Sequence, residues 1–247
     1  EQKNVGERLA LLQQVLDSNV DALICHPSYR PGKDFAEFLC SLRNCGIPVM
    51  CFTELAPHDR LDYFFLDNYA AGKLLAEHVI KQGHEKIGYM YARLDDQLKY
   101  YRYRGYADVM LKHGLKINDA SVVAIEDDPS VDLWQPRGKM AIEIMADRGI
   151  LDSLTCIICY NDQMAEGAVD ELRNRGYSVP EDISIIAFDN DPRCSSYELT
   201  TGFFPFAETT AEATRKFIKR VNNNSDSLVN ISIKPQLIER KSVKNIT

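Results

Sequence analysis

Polar side chains close two apolar runs in the second half of this chain. CIICY (156–160) is followed by Asn161 and Asp162, and the run holding Ile183, Ile185, Ile186 and Phe188 ends at Asp189 and Asn190. An amide beside a carboxylate offers donors and acceptors together, the complement that sugar hydroxyls require. A further candidate stands upstream. Arg102 opens a helical pattern and follows Asp95-Asp96. Its planar fork can donate two parallel bonds to neighbouring oxygens, each charge-assisted bond contributing roughly 1.5–3 kcal/mol. Trp134, the only tryptophan, sits in a polar stretch just before a helical pattern. An indole face can pack on the C–H face of a sugar ring, or plug its loop from beneath. Phe204 lies on a segment expected to cross between lobes and to line a cleft. His26, Tyr29 and Glu54 follow apolar runs nearer the N-terminus and complete the candidate ligand contacts.

These positions need a scaffold, and the spacing supplies one. CIICY is too short for a helix and reads as a strand. Asn161 and Asp162 are good N-cap types; Met164, Ala165, Ala168, Val169 and Leu172 recur at helical spacing, with Gly176 and Pro180 as stop signals. A right-handed crossover then brings Asn161 and Asp189 to one edge of a parallel sheet, the edge where open α/β sheets hold ligands. The same alternation continues along the chain. Strands are expected at 20–25, 47–52, 64–66, 86–91, 122–125, 199–206 and 231–239, and helices at 6–17, 33–45, 69–82, 101–113, 137–148 and 208–221. Strand-loop-helix units recur in 20–91 and 122–190, which suggests two similar lobes with a cleft for a small ligand.

Composition narrows the classes. The chain has 247 residues, 45% of them hydrophobic, and a formal charge of −7, so no basic nucleic-acid footprint is visible. No apolar run approaches the length of a membrane span. Seven cysteines, mostly within apolar runs, fit free thiols in a reducing, cytoplasmic setting. Cys156 and Cys159 would point to opposite faces of a strand, which removes the obvious redox or metal reading of C-x-x-C. Asp189, Asn190 and Asp191 lack further ligands at defined spacing for a metal. Nucleophile-elbow, phosphate-loop, dinucleotide and zinc-protease motifs are all absent from the sequence. The expectation is therefore a binding protein without catalytic residues, metal or cofactor.

The segment 158–190 closely resembles the corresponding part of LacI/GalR-type effector-binding domains, which share the periplasmic-binding-protein fold. DNYAAGKLLAEHVIKQGHEKIGYM (67–90), YRYRGYADVMLKHGL (101–115), LTT (199–201) and PQLIERKSV (235–243) fall in the family's order. ARLDDQLKYYRYRGY (92–106) and YND (160–162) are most similar to AraR-type arabinose regulators of the GntR family, which join a winged-helix DNA-binding domain to this sugar sensor. The resemblance implies an α/β two-lobe fold. Residues 1–91 with 204–226 would form the N-terminal lobe, and 92–203 with 227–247 the C-terminal lobe. It implies a first strand-helix-strand unit and a DNA-binding domain upstream of Glu1. It further implies L-arabinose or a related pentose between the lobes, operator DNA as partner through the upstream domain, and a homodimer. Arg102 matches the family's effector arginine. The rival from a different setting is an extracytoplasmic sugar-binding protein of the same fold.

Overall fold

The structure is a computed structural model describing residues 10, 13–25, 39–40, 42–52, 61–93, 97–126 and 134–247. It divides into two compact units, Glu1–Phe65 with Phe206–Ser232, and Leu66–Pro205 with Ile233–Thr247.

The first unit holds a sheet of order β1-β2-β3-β9, formed by β1 (Leu23–Cys25), β2 (Val49–Phe52), β3 (Asp62–Leu66) and β9 (Asn230–Ile233). β1, β2 and β3 are parallel, with Cys25 opposite Cys51 and Phe52 opposite Phe64. Leu39, Leu42, Val49, Cys51, Leu61 and Tyr63 form its core. Helix α5 (Phe206–Asn222) buries Ala213 and Phe217. Arg220 of that helix donates to Asp62, which is fully buried, at 2.6 Å. Asp62 also accepts from the Val229 amide at 2.7 Å, so one carboxylate ties β3 to the chain leading into β9.

The second unit has a six-stranded sheet, β10-β8-β7-β6-β4-β5. Its members are β4 (Ile87–Arg93), β5 (Val122–Glu126), β6 (Cys156–Cys159), β7 (Ser184–Phe188), β8 (Thr200–Phe203) and β10 (Gln236–Ile238). All neighbours are parallel except β10 and β8. β6 and β7 are buried along their whole length, as a central parallel strand covered on both faces must be. The pleat sorts their side chains. Cys156, Ile158, Ile186 and Phe188 enter one core with Ile87 and Tyr89, whereas Ile157, Cys159, Ile185 and Ala187 enter the other with Met90. Cys156 and Cys159 therefore do lie on opposite faces.

Each face carries a helix pair: α1 (Asn68–Lys81) with α2 (Gln97–Lys112), and α3 (Trp134–Asp147) with α4 (Asp162–Asn174). Both pairs cross on glycine. A Cβ at Gly72 would lie 1.8 Å from the Arg102 carbonyl oxygen, and one at Gly105 2.1 Å from that of Tyr69. In the other pair, Gly138 faces the Met164 carbonyl and Gly167 that of Gln135, each at 1.9 Å. Only a residue without a side chain permits backbones this close.

Several expectations change. Helix 68–81 and strand 87–93 belong to the second unit rather than to an N-terminal lobe ending at 91, because β4 pairs with β5 and β6. The boundaries expected at 203/204 and 226/227 fall at 205/206 and 232/233. The single strand expected at 231–239 is two, β9 in the first sheet and β10 in the second; Pro235 lies between them and has no N–H to continue a ladder. Among the described residues α2 spans Gln97–Lys112 and α3 Trp134–Asp147, so each reaches N-terminal of its expected start at 101 and 137. Among the described residues no helix is long and apolar enough to cross a membrane.

Candidate functional site

Parallel strands β4 to β8 of the second unit end along one edge, and the candidate side chains gather there. Arg102 enters from α2. Its Nη1 donates to the Tyr160 carbonyl at 2.6 Å and its Nη2 to Asn68 Oδ1 at 2.8 Å. The guanidinium lies 4.5 Å from the Tyr160 ring centre and 4.3 Å from that of Phe188. Trp134 stacks on Tyr160 at 5.5 Å and 26°, and Arg137 lies over the Trp134 ring at 4.8 Å. At the other end Phe204 meets Phe188 at 5.0 Å, and a Cβ at Gly202 would come within 2.6 Å of the Phe188 ring. The edge is thus a run of planar groups in contact, Arg137, Trp134, Tyr160, Arg102, Phe188 and Phe204, each guanidinium against a ring. Cations over aromatic faces are attracted by the ring quadrupole, by about 2 kcal/mol when desolvated.

This floor fixes a cation without cancelling it. Arg102 is buried, and among the described residues neither of its bonds is to a carboxylate. Its Nε–H and the hydroxyl of fully buried Tyr89 have no hydrogen-bond partner among those residues. A guanidinium has five donors in a fixed fork, so Arg102 keeps capacity for acceptor oxygens.

Asn161 and Asp189 flank the stack, one following Tyr160 and the other following Phe188. Asn161 does cap α4: its Oδ1 accepts from the Met164 amide at 2.8 Å. That leaves its amide NH2 as the group it can offer a ligand. Asp189 is exposed at the end of β7, with φ of +117°, and Asn190 follows at +54°. Two successive non-glycine residues at positive φ are strained, and strain of this kind persists only where the surroundings enforce it.

Asp162, expected to be a cap, does something else. It is 2% exposed; Oδ1 accepts from Thr201 Oγ1 at 2.7 Å and Oδ2 from the Asp191 amide at 2.8 Å. Burial pushes its carboxyl up to about 7, against the opposing pull of those two bonds. Asp191 caps the short 3-10 turn 192–197 and pairs with Arg193, which holds its carboxyl below the usual range.

Arg102, Asn161, Asp189, Trp134 and Phe204 therefore share one edge. His26, Tyr29 and Glu54 lie outside the described residues. Tyr160 and Phe188 were missed as site residues; each directly precedes a predicted one, and an aromatic closing each apolar run was the available signal. His78 and His84 are buried away from this edge. Burial lowers the proton affinity of both rings, and His84 bridges Thr155 and the Lys244 carbonyl at 3.0 Å each. Among the described residues no three His, Cys, Asp or Glu side chains gather to hold a metal.

A family described as the periplasmic binding protein-like domain matches residues 76–243. The chain belongs to that family. This periplasmic binding protein-like domain is 29% identical over 240 residues to the HTH-type transcriptional regulator GalR of Escherichia coli, covering 96% of this chain and 66% of that protein. It is 31% identical over 250 residues to the HTH-type transcriptional repressor PurR of Pasteurella multocida, covering 99% and 70%. It is 27% identical over 239 residues to the arabinose metabolism transcriptional repressor of Geobacillus stearothermophilus, covering 95% and 64%. All three are named as transcriptional regulators or repressors, not as enzymes. The chain spans about two thirds of their length. Its fold matches that of a sugar-binding LacI-family transcriptional regulator from Escherichia coli solved with phosphate: TM-score 0.81 at 21% identity, over 99% of this chain and 84% of that one.

Proposed function

We propose that this chain is the sugar-sensing, effector-binding domain of a bacterial transcriptional repressor working in the cytoplasm. The observation that carries the reading is Arg102. It is a buried guanidinium between two aromatic faces, with donors to spare and an amide and a carboxylate alongside. Such a group donates to hydroxyl oxygens, as the Asn161 amide NH2 does, while Asp189 accepts. Trp134, between Arg137 and Tyr160, backs the site from beneath, as the plug reading of this residue has it. A small polyol ring satisfies the other three.

Within sugars, L-arabinose or a related pentose is favoured by two supports. One relative is named as an arabinose metabolism repressor, and the Asp95-Asp96 to Arg102 to Gly105 spacing resembles that group. The reading also takes operator DNA as partner, through a domain outside this sequence and of winged-helix GntR type, and a homodimer as the working form. Effector control then requires unequal sugar affinity for the DNA-bound and released states.

Calorimetric titration with L-arabinose, D-xylose, D-galactose and D-ribose tests this. One pentose should bind, and Arg102→Ala should weaken it at least about tenfold, the loss of one or two charge-assisted bonds. No heat with any sugar defeats the sensor reading; unchanged affinity in Arg102→Ala defeats the site.

A further inference from the structure

The loop bearing Asp189 is held in a strained shape, and the restraints converge on one carboxylate. The Asp189 amide donates to the Gly202 carbonyl at 2.7 Å, an ordinary extension of the β7–β8 ladder. The next two amides do not use the ladder. Asn190 N–H donates to Thr201 Oγ1 at 3.3 Å, and Asp191 N–H to Asp162 Oδ2 at 2.8 Å. The Thr201 hydroxyl has a single proton, directed to Asp162 Oδ1 at 2.7 Å rather than to the Gly202 carbonyl at 3.1 Å. Its lone pairs are thereby turned toward Asn190. Asp162 thus fastens one amide directly and orients the hydroxyl that fastens the other. Both anchors are buried, Thr201 at 0% and Asp162 at 2% exposure. The side chains of the loop have other partners. Arg240 donates to Asn190 Oδ1 at 2.6 Å, and Gln163 and Arg193 donate to Asp191.

We propose that Asp162 and Thr201 form a latch that positions Asp189, and that the latch is set only while Asp162 is a carboxylate. Both of its bonds arrive as donors. A protonated carboxyl must donate its own hydrogen: either the Asp191 amide loses its acceptor, or the Thr201 hydroxyl turns from Asp162 to the Gly202 carbonyl, 3.1 Å away, and its lone pairs are no longer directed at Asn190 alone. The electrostatics place this change near neutrality. Burial favours the acid, the two incoming bonds favour the anion, and they meet at about 7. The charged or titratable groups facing Asp162 are Asp189 and Asp191 from the loop, Cys159 from β6 and Cys194 from the 3-10 turn. On its own helix, Glu166 engages Cys194. Arg193 is committed to Asp191, and from α3 the buried cation Arg137 lies over Trp134. Thr201 is the one side chain donating to the Asp162 carboxylate among the described residues.

The test needs no ligand. Amide resonances of Asn190 and Asp191 are followed between about pH 5 and pH 9. In the wild type both should shift with one midpoint near neutrality. Their exchange protection, corrected for intrinsic pH dependence, should fall about tenfold or more on the acid side. Asp162→Asn should abolish the titration and leave protection low throughout. Thr201→Ser, which keeps the hydroxyl, should behave as wild type, and Thr201→Val should resemble Asp162→Asn. The latch is overturned if the two amides do not titrate, if they titrate equally in Asp162→Asn, or if Thr201→Val keeps wild-type protection. Any effect on sugar affinity rests on the function proposed above: L-arabinose should bind several-fold more weakly in acid to the wild type and equally at both ends of the range to Asp162→Asn. Titrating amides without sugar binding would defeat the function and leave the latch; sugar binding with silent amides would do the reverse.

Discussion

Gly72→Ala puts the glycine crossing to a quantitative test. The added methyl would stand 1.8 Å from the Arg102 carbonyl oxygen, 2.8 Å from its carbon and 3.0 Å from the Tyr106 nitrogen. All three are backbone atoms, so no rotamer relieves the clash. An ordinary carbon–oxygen contact is more than 3 Å, so α1 and α2 must part by roughly 1.5 Å, and overpacking of this kind costs about 1–3 kcal/mol, occasionally more. Alanine returns about 1 kcal/mol of helix propensity. The clash is the larger effect, because separation also strips contacts from the apolar side chains along the seam. A net loss of up to about 2 kcal/mol is expected by urea denaturation. Moving α2 also draws Arg102 from Asn68 on α1, a 2.8 Å bond, so sugar affinity should fall with stability. Gly138→Ala, at 1.9 Å from the Met164 carbonyl on the opposite face, should cost similar stability and also lower affinity, since α3 carries Trp134 and Asn161 caps the Met164 amide. Gly105→Ala added to Gly72→Ala should cost less than either alone, since the helices are already apart. A Gly72→Ala protein about 1 kcal/mol more stable than wild type would refute the close crossing, because that is the gain propensity alone predicts.

Asp62→Ala should destabilise by about 3–5 kcal/mol in urea unfolding, since it strands the Arg220 guanidinium in a buried site; Asp62→Leu with Arg220→Leu should cost less. Ser242→Ala should lower the melting temperature through a loss of about 1–3 kcal/mol. The Ser242 hydroxyl donates to the Ile185 carbonyl at 2.5 Å and accepts from the Thr200 amide at 2.8 Å, both buried. The pH dependence of stability has an unusual sign at Asp162. Its folded affinity for a proton exceeds the unfolded one, so its contribution is complete below about pH 4 and is lost as pH rises through about 7. Between about pH 6 and pH 8 wild type should lose about 1 kcal/mol that Asp162→Asn does not lose.

Alternation of short apolar runs with helical spacing was enough to place the described strands of both sheets, and the cap at Asn161 followed from residue type. What escaped was set by tertiary pairing. Gly72, Gly105, Gly138 and Gly167 each interrupt a helical pattern at a cost of about 1 kcal/mol. That cost signals a packing reason, but which backbone each approaches depends on how the helices are paired. Asp162 reads as a second cap because an aspartate at a helix start ordinarily is one; only the arrival of Thr201 from a strand 39 residues away gives it another task. The break at Pro235 was visible as a missing donor, yet the two sheets it separates were not. Arg102 was found from its motif, whereas its sandwich needed the β6 and β7 ends side by side.

The aromatic edge has an optical consequence. The chain holds twelve tyrosines and one tryptophan. That indole lies parallel to Tyr160 and beneath a guanidinium, so every photon emitted by tryptophan originates at the candidate site. Excitation collected by the Tyr89, Tyr91, Tyr103 and Tyr106 cluster has one indole as its energy acceptor. The unlabelled protein therefore carries a single-site emitter whose colour and lifetime follow the state of this edge, with the tyrosines as its antenna.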